Sequence, residues 1–474
     1  MRRPLRLQLA ALALLALLAA GACGPSEPEV PPLRSQGQRP NVILILVDTL
    51  RADHLSSYGY PRQTSPNLDA FAARNLLFTR ATSQAGCTYP SANSLLTSRY
   101  PTRFLAQEGG FMGIPEGVTA LPEILQAAGY RTMAVSASPI VRNTPSKQNP
   151  HGGFGRGFEV FNETCLWRHA RCVNREAFRL LNKTTEPFFL YLHYMEPHGP
   201  YHPPEELHQN RFARPYDGLD FIAKGDPNPI ARMLYSKGPK VEVTPRDLEH
   251  LVDLYDEEIA FFDQELQRLL DRLRAQNRLA ETLVVITSDH GEEFLEHGNI
   301  KHCRSAYQSL VGTPLILKLP ASLTAGNALA GGRRLDLLAQ NLDIVPTVVD
   351  LLGLAPPGSS FEGRSLAPAL SELAADHPVS APPALSYSAQ SVYRAVRDER
   401  YKLIFSLRKH QVELFDLQAD PGETQNVEKQ HPEVVRRLWR ELRAWMATVE
   451  GDGEKSVGAA DETEKQLKAL GYLQ

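Results

Sequence analysis

The chain is poor in cysteine, tryptophan and methionine, with five, three and six among 474 residues. So few cysteines cannot staple a chain of this length, and stability must come from a packed core, for which 42% hydrophobic residues are ample. Charge of one sign is also lacking. Lys and Arg number 51 against 54 Asp and Glu, a formal net charge of -3, and there is no long basic run. Nothing in that balance calls for nucleic acid. There is no internal repeat. The one marked Ala/Leu run, near the N-terminus, falls short of the roughly 20 apolar residues that a spanning helix needs.

That run belongs to a leader. "MRRPLRLQLAALALLALLAAGAC" has Arg2, Arg3 and Arg6, an apolar stretch and then small residues up to Cys23, the pattern of a secretory signal over residues 1–22. Its end, "AGAC", resembles a bacterial lipobox and makes Cys23 a lipidation candidate, so the protein is expected to be exported, to the cell envelope as a lipoprotein or to the periplasm. Residues 23–40 are Pro-rich and fit an extended tether. Cys87, Cys165, Cys172 and Cys303 then remain, in a compartment where disulfides persist, and four cysteines allow three pairings. Cys165 and Cys172, close together in one loop-like segment, are the expected pair; Cys87 and Cys303 pair or stay free.

Strands and helices alternate from residue 41. "NVILILV" and "TLVVITS" are continuous apolar runs, as expected of strands buried on both faces, and "YRTMAVSA", "PFFLYLHYM" and "TPLILKL" also read as strands. Helices are predicted over 65–79, 119–128 and 251–273, the last long and amphipathic. This pattern predicts an α/β fold, a large mostly parallel sheet sandwiched by helices, over residues 41–375. Strands at 393–396, 401–405 and 412–416 and a helix from 432 to 449 predict a small α+β subdomain over 376–450. A polar tail, 451–474, follows.

Asp48 and Asp289 each stand just past the end of an apolar strand, and ligands of open parallel sheets bind at the carboxyl ends of the strands. Two carboxylates delivered there, with His290 beside the second, make a candidate divalent-metal site. In "GCTYPSANSLL", Pro90 opens a predicted helix, so Thr88 lies at a helix N-terminus, where backbone N–H groups favour an anion; read alone, it is equally a helix cap.

Taken together, "NVILILVDTLRADHLSSYGY", "SPNLDAFAARNLLF", "PFFLYLHYMEPHGPYHPP", "LVVITSDHGEEFLEHG", "LDIVPTVVDLLGL" and "ELFDLQADPGETQN", in this order, resemble the sulfatase family of the alkaline phosphatase superfamily. The resemblance implies an ester hydrolase with a divalent metal held by Asp48, Asp289, His290 and Thr88. It places Thr88, His198 and His302 in catalytic positions and Thr49, Ser91 and Lys301 among the contacts to the substrate anion. Departures matter as much. The family reads Cys/Ser-x-Pro-Ser-Arg, its first residue becoming formylglycine; Pro90-Ser91 sets the register so that Thr88 falls there, with Cys87 one residue early and Ala92 in place of Arg. No formylglycine is therefore expected. The Asp-Asp pair is Asp48-Thr49, and "SASP" at 136–139 lacks the family's Lys and His.

On this resemblance a threonine nucleophile favours hydrolysis of a phosphate ester or diester, because a sulfated threonine lacks the elimination route open to sulfated formylglycine. A sulfuric ester hydrolase acting on a sulfated carbohydrate or aryl ester is the alternative, and a non-catalytic binder of anionic glycans or lipids a further one. Manganese or zinc suits the ligand set, and calcium is common among the relatives. His193 and His297 are expected to be structural. A Cys87–Cys303 disulfide would join the loops that carry Thr88 and His302.

Overall fold

A computed structural model describes residues 30–102, 113–167, 169–185, 187–202, 211–219, 243–355, 360–379, 385–390 and 392–449. The leader, Cys23, the first part of the tether (residues 23–29) and the polar tail lie outside the described residues. Among those described, no helix is long and apolar enough to cross a membrane.

The centre is an eight-stranded sheet in the order β10-β2-β9-β6-β1-β5-β3-β4. Its strands are β1 (Asn41–Val47), β2 (Leu76–Thr82), β3 (Arg131–Ser136), β4 (Val160–Asn162), β5 (Phe188–Tyr194), β6 (Thr282–Ser288), β9 (Gly312–Lys318) and β10 (Arg333–Gln340). β9 alone runs against its neighbours, pairing antiparallel with both β2 and β6, while the other pairings are parallel. Between β6 and β9 lies a short hairpin, β7 (Glu293–Phe294) and β8 (Ile300–Lys301).

Every residue of β1, β5 and β6 is buried, which explains their unbroken apolar runs. Alternate residues serve opposite layers. Ile43, Ile45 and Val47 pack with helices Pro66–Ala72, Ala170–Leu181 and Pro245–Ala275; Val42, Leu44 and Leu46 pack with helices Thr88–Thr97, Leu121–Ala127, Ile344–Leu351 and Ala367–Ala374. The long helix begins at a Thr244–Asp247 capping box followed by Pro245. Its Asp263 accepts hydrogen bonds from the backbone N–H groups of Asn67 and Leu68 at 3.1 and 2.7 Å, capping the helix Pro66–Ala72 from outside.

That short helix corrects the sequence reading of 65–79. The helical spacing of Leu68, Phe71, Ala72 and Leu76 ends with a turn at 73–75, and Leu76, Leu77 and Phe78 are the first residues of β2. A one-residue coincidence in period hid the boundary, and sheet pairing on both sides of β2 decides it. The C-terminal sheet has four antiparallel strands, the three expected ones (Tyr393–Arg397, Tyr401–Ser406 and Gln411–Asp416) preceded by β11 (Ser386–Gln390), which the sequence reading missed. Helix Pro432–Val449 packs Leu438, Trp439 and Leu442 against it, in one cluster with Tyr100 and Leu342 of the large layer.

Ile45 is fully buried at the middle of the sheet. Ile45→Ala is expected to lower unfolding free energy by about 2–5 kcal/mol, read from urea denaturation; a loss under ~0.5 kcal/mol would contradict the sandwiched position of β1.

Candidate active site

Strand register brings the two carboxylates together. β1 and β6 are parallel neighbours with Val47 opposite Ser288, so the next residues, Asp48 and Asp289, emerge side by side. Both are buried, and donor atoms of Asp48, Asp289 and His290 lie within 4.8 Å of one another. The loop after β1 is pinned to this pair. Thr49 holds a φ of 57°, a left-handed conformation that β-branched residues avoid. Its N–H donates to Asp289 Oδ1 at 3.1 Å and its carbonyl accepts from the Tyr255 hydroxyl at 2.6 Å. Strain of this kind persists only where surrounding contacts enforce it.

His290 Nδ1 lies 2.8 Å from the Gly291 carbonyl oxygen, which only accepts, so Nδ1 carries the proton and Nε2 presents its lone pair to the site. The Thr88 hydroxyl donates to that Nε2 at 3.2 Å. Thr88 is the first residue of the helix Thr88–Thr97, which follows β2, and is 7% exposed. The sulfur of Cys87 is bonded to that of Cys303, and the Cys303 N–H donates to Gly86 O at 2.7 Å. The bond therefore fastens the turn that carries Thr88 to the turn that carries His302. Cys165 is bonded to Cys172.

The donor set fits a divalent cation. Asp48 Oδ1 and Asp289 Oδ2 are buried without a hydrogen-bond partner. Burial first, and then the Asp289 charge, holds the Asp48 carboxyl well above its ordinary pKa. Two abutting buried carboxylates without a cation are unfavourable, and a bound divalent ion removes both the repulsion and the unmet oxygens.

Further residues complete the cluster. The His302 ring centroid lies 4.7 Å from that of His290 and 5.1 Å from that of His198. His302 Nδ1 donates to Glu292 Oε1 at 2.8 Å, leaving Nε2 toward the site. Burial alone would raise the Glu292 pKa, but the charge and hydrogen bond of His302 bring it down to about 2, with Lys301 adding to the effect. Burial, reinforced by His302, pushes His198 down to about 3, so it is neutral and its buried Nδ1 has no hydrogen-bond partner. Lys301 lies close enough to act on both groups.

Ser91 departs from its expected place among the anion contacts. Its hydroxyl turns inward, donating to Ala85 O at 2.7 Å and meeting Ser83 Oγ at 3.1 Å, because the helix start needs its entering loop tied down. The Thr49 hydroxyl is buried with no hydrogen-bond partner, and its backbone does the orienting described above. In the 136–139 segment Ser136 Oγ is spent on Val141 O.

Three residues were missed in the sequence. Glu292 stands two places past His290 in a quoted motif and was open to notice. His193, read as structural, donates from Nε2 to Asp48 Oδ2 at 3.3 Å while its Nδ1 accepts from the Tyr191 hydroxyl at 3.0 Å, and burial holds it neutral at a pKa of about 4. Trp167 is 48% exposed, its ring centroid 5.9 Å from that of His198 on the loop closed by Cys165–Cys172.

A hydroxyl, a pair of buried carboxylates and a lone-pair imidazole at the carboxyl end of a parallel sheet define a metal-dependent ester hydrolase. The chain belongs to the sulfatase family: residues 40–354 match that family, and residues 296–448 match the N-sulphoglucosamine sulphohydrolase C-terminal family. Human iduronate 2-sulfatase is 26% identical over 384 residues, covering 67% of this chain and 70% of the relative. A solved structure in complex with its substrate D-glucosamine-2-N,6-O-disulfate superposes with a TM-score of 0.68 at 19% identity, covering 88% of this chain and 99% of that one. The phosphonate monoester hydrolase of Agrobacterium radiobacter gives 0.65 at 20% identity, covering 90% and 96%. At these identities the likeness to the two structures shows a shared fold.

Stripping the protein with a chelator and restoring Mn²⁺, Zn²⁺ or Ca²⁺ is expected to raise its melting temperature, by an amount corresponding to about 2.7 kcal/mol at a hundredfold excess over Kd. Asp48→Asn and Asp289→Asn should each abolish the rise. Equal stabilisation of wild type and both variants would rule out this cluster as the metal centre.

Proposed function

We propose that the chain is an exported hydrolase of esters of a tetrahedral oxyanion, with Thr88 as its nucleophile. The observation that carries this reading is the Thr88 hydroxyl directed at the His290 lone pair beside two buried carboxylates, with Cys87 engaged in a disulfide. Sulfated substrates are the better-supported class, because family membership and the relatives named above weigh toward a sulfuric ester. The exposed Trp167 ring beside His198 suits a sugar ring or aryl group on the leaving side, where a large half-wet aromatic face adds contact area. A phosphate ester is the second reading, favoured by one feature, the threonine at the nucleophile position. A threonine phosphate is cleaved by attack of water at phosphorus, whereas a threonine sulfate has no elimination route.

Asp48, Asp289 and His290, with Thr88, would hold the metal, manganese, zinc or calcium. Such an ion supplies charge neutralisation at the reacting anion and acidifies a coordinated hydroxyl. In the first half-reaction Thr88 Oγ bonds to the central sulfur or phosphorus as the bond to the leaving oxygen breaks, and the hydroxyl proton passes, on balance, to that leaving alcohol. His302, oriented by Glu292, is the relay for this proton. Neutral His198 donates one N–H to the anion, and Lys301 adds a positive charge. Water then cleaves the threonine ester, restoring the hydroxyl and releasing the inorganic anion. Export and an anchor at Cys23 follow from the leader sequence and complete the proposal.

The test is peptide mass spectrometry after brief exposure of metal-loaded protein to aryl sulfates and aryl phosphates. An adduct on Thr88, absent in Thr88→Ala, with turnover lowered at least ~10³-fold, is expected. Sulfate turnover alone assigns the sulfuric ester reading, and phosphate turnover alone the phosphoester one. Full activity in Thr88→Ala would overturn the nucleophile assignment.

A further inference from the structure

A cavity of about 660 Å³ lies where β2, β9 and β10 face the turns of the C-terminal sheet, and none of the catalytic cluster lines it. Its wall holds three arginines, Arg80, Arg397 and Arg400, of which two are neutralised. Arg80 Nε is 2.7 Å from Asp336 Oδ1, and Arg400 Nη2 is 2.6 Å from Asp416 Oδ2. The lining Asp53 is likewise taken up by Arg51 at 2.7 Å, and Glu399 lies exposed at the rim.

Arg397 is different. Only 7% exposed, it sits at the end of the strand Tyr393–Arg397, and its Nε is buried without a partner. Among the described residues its guanidinium makes no side-chain hydrogen bond and no ion pair. Its strand neighbour Lys402 is matched by Glu423 at 2.8 Å, so that buried carboxylate is already committed. Burial, with the Arg80 charge added to it, pushes the Arg397 pKa down to about 10, against the pull of the Glu423, Asp398 and Asp336 carboxylates. A buried, unpaired guanidinium is expensive to maintain, and its planar fork of donors matches carboxylate, sulfate and phosphate oxygens. Gln308 and Thr313 also line the cavity.

We propose that this cavity is a second oxyanion site, anchored by Arg397 and separate from the catalytic centre, which binds a sulfate or phosphate group. The group arrives either as the free inorganic anion or on a carbohydrate; the volume has room for a monosaccharide ester. The site lies between the large sheet and the small one, so its occupancy adds a bridge across that junction.

The test uses the full chain. Crystals soaked in selenate are expected to show anomalous density at Arg397 as well as at the catalytic cluster. Calorimetry with inorganic sulfate, phosphate, glucose 6-sulfate and glucose is expected to give a second binding event for the anions and none for glucose; tighter binding of glucose 6-sulfate than of sulfate identifies the carbohydrate source. Arg397→Gln should weaken that event about tenfold or more, with Arg397→Lys recovering part of it. Turnover at the catalytic centre should stay unchanged, which keeps this outcome distinct from the fate of the proposed hydrolysis. Selenate confined to the catalytic cluster, or unaltered anion binding by Arg397→Gln, would overturn the proposal. If Arg397→Gln does not fold, the selenate map of the wild-type protein decides alone.

Discussion

Two carboxylates forced together at the ends of neighbouring strands govern this molecule. Once β1 and β6 pair in parallel with Val47 opposite Ser288, Asp48 and Asp289 have nowhere else to go. Their mutual repulsion under burial makes the site an electrostatic sink for a cation. Much of the surrounding hydrogen bonding serves to hold that arrangement: the Thr49 amide on Asp289, the Tyr255 hydroxyl on the Thr49 carbonyl, His193 on Asp48. The strained φ of Thr49 is explained by the same demand, since only that conformation aims its N–H at Asp289 while its carbonyl reaches the long helix.

Thr88 stands beside the buried Asp48, Asp289 and His290, and the adjacent Cys87 is used as a covalent tie to the His302 loop. The tie and the Glu292 anchor act on His302 from two sides, and its neighbours Lys301 and Cys303 both adopt left-handed φ, of 66° and 71°. A histidine held this firmly is suited to proton transfer at a fixed distance, because little reorganisation is left for the reaction itself.

The C-terminal sheet is more than an appendage. Its helix shares a hydrophobic cluster with Tyr100 and Leu342, and the Ala389 N–H donates to Gln84 O at 2.8 Å, four residues before Thr88. The small sheet thus braces the segment that leads to Thr88.

Much of this was legible in sequence because burial on both faces writes itself as unbroken apolar runs: "NVILILV" and "TLVVITS" announced the central strands, and the aspartates that end them announced the site. Local chemistry also placed a helix start near Pro90, although the helix begins two residues earlier, at Thr88, and the long helix begins at Pro245, ahead of the expected 251. What pairing alone decides was hidden. The antiparallel course of β9, the switch from helix to strand near residue 73 and the existence of β11 depend on neighbours remote in sequence. The roles of His193 and Trp167 were hidden for the same reason, since a side chain's partner sits on another element. Composition and period are properties of a segment and are fixed by the chain itself. Register, left-over charge at Arg397 and the meeting of Cys87 with Cys303 across 216 residues are properties of packed pairs, which exist only once the strands have found each other.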